Sequence, residues 1–193
     1  MNTLTNTGLH IQAIIIVIVW VMLCLPVRGQ NPDHLKRQLE LQKLVHSKGD
    51  EQFSVGAGLV KDGWNLTAGY GRYFSRSLLI GTDVSYETVQ LNLTTLHAYY
   101  LSPLAAWLIG RIRNRFFADL KGGFIAGEET LTNRVMVNKP LDQLVFGEKL
   151  GLKFEYFMNP VLSLNLDLEQ RFMNNSQTGT LSRNATLSLA YNF

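Results

Sequence analysis

The sequence predicts an all-β protein: an eight-stranded antiparallel up-and-down barrel that spans a membrane, preceded by a signal peptide and an amphipathic helix. Three observations predict this fold. Residues 11–25 are almost purely apolar, apolar and polar residues alternate from Glu51 onward, and an alternating strand at residues 184–193 ends on Phe193. Strands in lipid need one apolar and one polar face. The predicted organisation is a signal peptide at 1–29, a helical segment at 30–50 and the barrel at 51–193.

The apolar N-terminal run is too short to span a bilayer comfortably as a mature helix, which favours a cleaved signal peptide. Val27 and Gly29 occupy the two positions that a signal peptidase reads, so cleavage is expected before Gln30. Two alternatives stay open. The run could be an uncleaved anchor, because no Lys or Arg precedes it, or Cys24 could carry a lipid, although Leu23 stands where a small residue is needed.

Composition argues against several classes of function. Cleavage would remove Cys24, the only cysteine, and Arg28, leaving 17 basic (18 − 1) and 15 acidic groups, a net charge of +2. Because no block of like charge stands out, no direct binding to nucleic acid is expected. The mature chain would have no cysteine for disulfide or thiolate chemistry.

No enzyme, cofactor or metal site is predicted. The three histidines of the mature chain show neither metal-ligand spacing nor a nucleophile motif. The enzymatic alternative is a lipid-modifying enzyme at the barrel rim, for which His97 with Ser102 or Asp119 is the available material.

An amphipathic helix is predicted at residues 33–46. Asp33 can cap it, and one face recurs at helical spacing as Leu35, Leu39, Gln42 and Val45, with Leu41 and Leu44 widening the apolar stripe. The helix could pack on the barrel rim, dock a partner or plug the lumen. Rim or partner docking is favoured over a plug, because an eight-stranded lumen leaves no room for a helix.

The first four strands follow from alternation bounded by turn residues. They are predicted at 52–60, 64–74, 78–88 and 92–101, with a hairpin turn at 61–63. Strand four is expected to end near Pro103, and residues 104–109 are predicted to form a short interfacial turn of helix.

The last four strands are predicted at 115–127, 144–158, 161–173 and from Arg183 onward. Strand seven sets a leucine face against a face of ionisable and polar residues, which suits lipid outside and a polar lumen inside. Eight glycines on polar faces are expected to make room for long interior side chains; they are Gly56, Gly58, Gly69, Gly71, Gly81, Gly123, Gly147 and Gly151.

Interior charges must be paired, because an unpaired ion in a narrow lumen is costly. A turn centred on residue 160 makes the numbers of directly opposed residues on strands six and seven sum to 320. This register places Lys153 opposite Asp167 and Lys149 opposite Arg171, and it leaves Glu169 free to bridge to Lys149 or Arg171. An ion pair between Lys153 and Asp167 is therefore predicted.

The C-terminus indicates the compartment. Tyr191 and Phe193 resemble the closing-strand signal that outer-membrane barrels present to their assembly machinery, although Ser188 stands where that signal usually has Gly. The resemblance implies location in the outer membrane, with membrane lipid and the barrel-assembly machinery as partners.

Four short motifs, in order and spacing, resemble the TraO family of conjugative-transposon proteins. They are Lys61-Asp-Gly63, Gly81-Thr-Asp-Val-Ser-Tyr-Glu87, Ala126-Gly-Glu-Glu-Thr-Leu-Thr-Asn133 and Gln170-Arg-Phe172, within a similarity that covers roughly residues 53–193. The resemblance implies a non-catalytic outer-membrane component of a DNA-transfer apparatus, with other conjugation proteins as partners. The competing interpretation is a generic porin-like or adhesin-like small barrel.

Overall fold

Eight antiparallel strands close into a barrel in the computed structural model, which confirms the predicted β architecture. The structure describes residues 46–91, 94–112, 115–133 and 141–193. Each strand pairs with the next and β8 pairs with β1. The strands are β1 (Glu51–Val60), β2 (Gly63–Ser75), β3 (Leu78–Leu91), β4 (Thr94–Ile112), β5 (Phe116–Asn133), β6 (Leu141–Phe157), β7 (Leu162–Asn174) and β8 (Leu181–Asn192).

The predicted signal peptide and nearly all of the predicted helix lie outside the described residues. His46, at the end of that prediction, is not helical, and residues 47–50 lead through a turn into β1. Within the described part of the chain, no helix has both the length and the apolar character needed to cross a membrane.

We call the end where β1 begins and β8 finishes the proximal end, and the opposite end the distal end. At the distal end β1 and β2 are joined by a tight turn inside the predicted 61–63 segment, and Gly63 is already the first residue of β2, directly opposite Val60. Asp62 adopts a left-handed backbone conformation in this turn, with φ of 60°. Asp tolerates that conformation better than most residues do, which suits it to a two-residue hairpin.

Alternation separates the two faces of the barrel wall as the pattern predicts. On β7, Leu164, Leu166 and Leu168 are exposed on the outside, whereas Asp167 and Glu169 are buried inside. The exposed leucines form an apolar surface, and the polar residues fill the interior. This is the arrangement that a barrel needs when lipid is the outer solvent.

The pairing registers fix the tilt of the strands. A line of directly paired residues that starts at Asp50 returns to β1 at Val60, ten residues further along (60 − 50), so the strands tilt by roughly 40° from the barrel axis. The line passes through Tyr73, Leu79, Ala106, Lys121, Gly151, Glu169 and Asn184. An eight-stranded barrel is narrow enough for side chains to fill.

The structure corrects the prediction for the fourth strand. β4 continues through Pro103 to Ile112, so the predicted helical turn at 104–109 is wrong. Pro103 pairs with Thr82 on the β3 side, while the ladder to β5 has no direct pair at Ser102 or Pro103. The proline is tolerated because its missing N–H interrupts one ladder only. Both faces of this stretch are apolar, which hides the alternation in the sequence.

The outer surface is an apolar band with aromatic side chains towards both of its edges. The band has the character that small barrels show between their two membrane interfaces. Exposed aromatic residues towards the proximal edge are Phe53, Tyr70, Phe74, Trp107, Tyr156, Tyr191 and Phe193, and those towards the distal edge are Trp64, Tyr99, Phe146 and Phe172.

Candidate functional site: a charged lumen closed at both ends

The distal third of the lumen is filled by apolar side chains. One cluster is built from Val60, Val89 and Leu96, with Leu91 and Leu131 packed against it. A second, deeper cluster consists of Ala98, Tyr100, Ile125, Val145 and Met173. All eight fully buried members are at most 7% exposed. We call these two clusters together the distal plug.

Glu129 fastens the β7–β8 turn over the distal plug. Its carboxylate accepts hydrogen bonds from the Tyr100 hydroxyl, the Ser176 hydroxyl and the Gln177 backbone N–H, each at 2.7 Å. The side chain is fully buried. Because an unpaired buried carboxylate is costly, these three donors hold the turn in place across the mouth of the barrel.

The proximal end is closed by an aromatic cluster around His46. The imidazole stacks on Tyr73 with a centroid distance of 3.9 Å, and it also contacts Phe117 and Phe157. His46 Nε2 lies 3.0 Å from the Tyr73 hydroxyl and 3.1 Å from Glu155 Oε2. We call this group the proximal plug. Sequence patterns did not predict it, because His46 precedes the first strand and reaches the lumen only through the turn at 47–50.

Lys121 is the centre of the ion network between the plugs. Its Nζ lies 2.9 Å from Asp83 on β3, and 3.1 Å from Asp167 and 2.8 Å from Glu169 on β7. The lysine side chain is only 9% exposed. One cation therefore joins two walls of the barrel through three carboxylates, which is the pairing that a buried charge requires.

Two more cations extend the network towards the distal plug. Lys149 Nζ lies 3.0 Å from Asp83 and 3.5 Å from Glu169. Arg171 pairs with Glu87 across the lumen, lies 3.5 Å from Glu169 through Nε, and places its guanidinium 5.7 Å from the centre of the Tyr100 ring. Glu169 thus bridges to both Lys149 and Arg171, the two neighbours that the sequence offered as alternatives.

The predicted ion pair between Lys153 and Asp167 is wrong, although the two residues lie directly opposite each other. Lys153 Nζ donates to Gln52 Oε1 at 2.7 Å and lies 3.6 Å from Glu155, while Asp167 binds Lys121. The register therefore sets which residues are adjacent, but Lys121, two strands away from Asp167, takes that carboxylate. Long side chains in a narrow lumen reach past their direct partners.

Glycines provide space for this network, as two positions illustrate. A Cβ at Gly69 would lie 2.6 Å from Asp83 Oδ1, and a Cβ at Gly151 would lie 3.1 Å from Glu169 Cγ and 2.4 Å from the Leu168 carbonyl oxygen. Any larger residue would displace either a charged side chain or the neighbouring strand.

The structure does not assemble the enzymatic alternative. His97 lies on the outer face, where its Nδ1 is 2.8 Å from the Tyr86 hydroxyl, whereas Ser102 and Asp119 are buried on the inner face. The barrel wall separates the histidine from both partners. Across the described ranges, no group of three or more His, Cys, Asp or Glu side chains is placed to hold a metal ion.

The closing strand is locked to the first one. Backbone hydrogen bonds of 2.9 Å run in both directions between Glu51 and Phe193, and β8 pairs with β1 from Asn192 to Asn184. The Tyr191 and Phe193 rings stand on the outer face with centroids 5.7 Å apart. The two predicted signal residues therefore form one exposed aromatic pair at the proximal edge.

Sequence reasoning assigned five residues of the network to the lumen: Lys149, Lys153, Asp167, Glu169 and Arg171. It did not name Asp83, Glu87, Lys121, Gln52 and His46. Alternation on β1, β3 and β5 could have assigned the first four to the interior. It could not have paired them, because their partners lie across the lumen.

The remaining polar cavity between the plugs has a volume of about 50 Å³, enough for only a few water molecules.

Comparisons with known proteins show the fold. No protein-family model and no curated protein matches the sequence. The N-terminal β-barrel domain of OprF from Pseudomonas aeruginosa is similar, with a TM-score of 0.60 at 11% identity over 77% of this chain and 100% of that one. Ail, the attachment invasion locus protein of Yersinia pestis, has a TM-score of 0.53 at 12% identity, over 76% of this chain and 99% of that one. Neisserial surface protein A has a TM-score of 0.52 at 12% identity, over 74% of this chain and 94% of that one.

Proposed function

We propose that this protein is an outer-membrane barrel that serves as a sealed, non-catalytic anchor rather than as a channel. The observation that carries the proposal is the closed lumen. The distal plug, the ion network around Lys121 and the proximal plug fill the interior, and the polar cavity between them measures about 50 Å³. Neither a solute nor a strand of DNA fits through such an interior.

The outer surface supports the membrane part of the proposal. It is an apolar band between aromatic edges, and the barrels of similar fold described above include a Yersinia protein whose name refers to attachment and invasion. With the lumen filled, the surfaces left for work are the two rims and the outer face. A function in adhesion or in assembly with other proteins uses those surfaces and needs no catalytic residue.

Fractionation and conductance test the proposal together. The protein should be recovered in the outer membrane, migrate on gels as a heat-modifiable barrel, and give no conductance above that of protein-free lipid when it is reconstituted in planar bilayers. Recovery as a soluble periplasmic monomer would refute the membrane assignment. Stepwise single-channel currents from a heat-modifiable sample would refute the sealed lumen instead.

A narrower proposal is that the anchor belongs to a conjugative DNA-transfer apparatus. The support for it is the resemblance of the Lys61–Gly63, Gly81–Glu87, Ala126–Asn133 and Gln170–Phe172 motifs to TraO proteins. Deleting the gene should then abolish conjugative transfer while solute uptake and membrane lipid composition stay unchanged. Normal transfer in the deletion strain would leave the generic barrel as the better proposal. Removing residues 33–45 while keeping His46 tests whether that segment docks a partner, because transfer would be lost with the barrel intact.

A further inference from the structure

Glu148 on β6 and Arg183 on β8 are ionisable side chains of opposite charge that stand on the outer face. Glu148 points outward from β6 with Phe124 and Phe172 as its direct neighbours in the ladders, and among the described residues it has no polar partner. Arg183 points outward from β8, and its described contact is a long hydrogen bond of 3.4 Å from Nε to Gln170. Both lie just inside the distal aromatic edge, since Glu148 pairs directly with Phe172 and Arg183 lies beside the β1–β2 turn. A charge at this level costs little by itself but still gains from a partner of opposite charge.

Glu148 and Arg183 lie at the same height in the barrel. The direct partners of Glu148 along the ladders are Phe172 on β7 and then Leu181 on β8. Each step across to the next strand climbs towards the distal end by one eighth of the ten-residue stagger, so two steps climb 2.5 residues. The position on β8 that is level with Glu148 therefore lies 2.5 residues closer to the proximal end than Leu181, which is midway between residues 183 and 184. Arg183 lies within about 1–2 Å of that level.

We propose that the outer face of β6, β7 and β8 is an interface for a second copy of this chain. The two copies are related by a two-fold axis along the membrane normal that runs between their facing β7 strands. This symmetry places β6 of each copy opposite β8 of the other at equal height. Glu148 of each copy then pairs with Arg183 of the other, twice in one interface. This inference rests on the membrane embedding proposed above, since the axis is defined by the plane of the membrane.

The apolar residues of the same face complement each other in size. The residue level with Leu150 on β8 is Ala185, by the same two-strand step. Leu150, with 53% of its surface exposed, and the short Ala185 stand on opposite sides of one shallow groove of about 460 Å³ that Leu168 and Gln170 also line. In the dimer, Leu150 of one copy lies over Ala185 of the other, so that a large side chain meets a small one on both sides of the axis. The leucines of β7 pack at the centre.

The charged pair supplies the specificity of this interface. Leucine contacts alone would not favour protein over lipid, because acyl chains are equally apolar. Glu148 and Arg183 do differ between the two environments, since each gains a partner in the dimer and, among the described residues of the monomer, has none of opposite charge. The charges also fix the register, because sliding one barrel along the other would separate both pairs at once.

Cysteine cross-linking in native membranes tests the geometry. In a Cys24→Ser background, a flexible bifunctional maleimide should join two copies of the double variant Glu148→Cys/Arg183→Cys, while each single variant and Val84→Cys on a distant strand should remain monomeric. A bifunctional reagent is used because a Glu–Arg pair spans more than the roughly 7 Å between Cα atoms that a direct disulfide tolerates. All variants are first checked for heat-modifiable migration, so that loss of the barrel is distinguished from loss of the interface. Heat-modifiable barrels that fail to cross-link, or that cross-link equally at Val84, would overturn the proposal. Adducts to a different protein at positions 148 and 183 would also overturn it.

Charge exchange tests the pairing independently of cysteine chemistry. Glu148→Arg or Arg183→Glu alone should raise the dissociation constant of the dimer in nanodiscs or mild detergent by roughly tenfold, because each creates two like-charge contacts. The exchanged variant Glu148→Arg/Arg183→Glu should restore dimerisation to within about twofold of the original. If the exchanged variant dissociates as readily as the single variants while its barrel stays folded, the two residues are not partners.

Discussion

Replacing Lys121 with methionine tests whether one lysine holds the lumen together. Methionine matches the four-atom apolar stem of lysine but lacks the ammonium group that lies within 3.1 Å of Asp83, Asp167 and Glu169. Asp83 and Glu169 retain Lys149, whereas Asp167 keeps no cation within ion-pair distance among the described residues. Removing one member of a buried ionic group costs about 3–5 kcal/mol, because the partner charge is left uncompensated. The free energy of unfolding should fall by that amount.

The measurement is equilibrium unfolding in detergent micelles or lipid vesicles, followed by tryptophan fluorescence and by heat-modifiable migration. Lys61→Met, in the exposed β1–β2 turn, is the matched control and should change stability by less than about 0.5 kcal/mol. Lys121→Met/Asp167→Asn should be more stable than Lys121→Met alone, because the stranded carboxylate is gone. If Lys121→Met costs no more than its control, or if the second substitution gives no recovery, Lys121 does not organise the network.

Two further predictions concern the plugs. Glu129→Ala should free the β7–β8 turn, because the three hydrogen bonds to the Glu129 carboxylate are lost. The backbone amide hydrogen of Gln177 should then exchange with solvent at least tenfold faster. Glu128→Ala on the outer face is the control, and equal exchange in both variants would contradict the role of Glu129. His46→Ala should lower the free energy of unfolding by about 2 kcal/mol, since it removes the stack on Tyr73 and the contact with Glu155; a loss no larger than that of Lys48→Ala would contradict the proximal plug.

The sequence determined the class of the fold because alternation is a local property. Every second residue of a strand faces the same side, so the exposed leucines and buried charges of β7 could be assigned without any tertiary information. The tight turn at residues 61–62 and the register between β6 and β7 are local as well. Alternation failed where both faces are apolar, as in β4 beyond Pro103, because the two sides then look alike in sequence.

Only the tertiary structure decided which interior charges pair. The ladder places Lys153 opposite Asp167, yet Lys121 takes that carboxylate from β5, and Lys153 turns to Gln52 on β1. These choices depend on the closure of the barrel and on its ten-residue stagger, which bring distant strands within reach of one another. His46 reaches Tyr73 and Glu155 for the same reason. A pattern along one strand fixes the face of a residue, but distances across the lumen exist only after the barrel has closed.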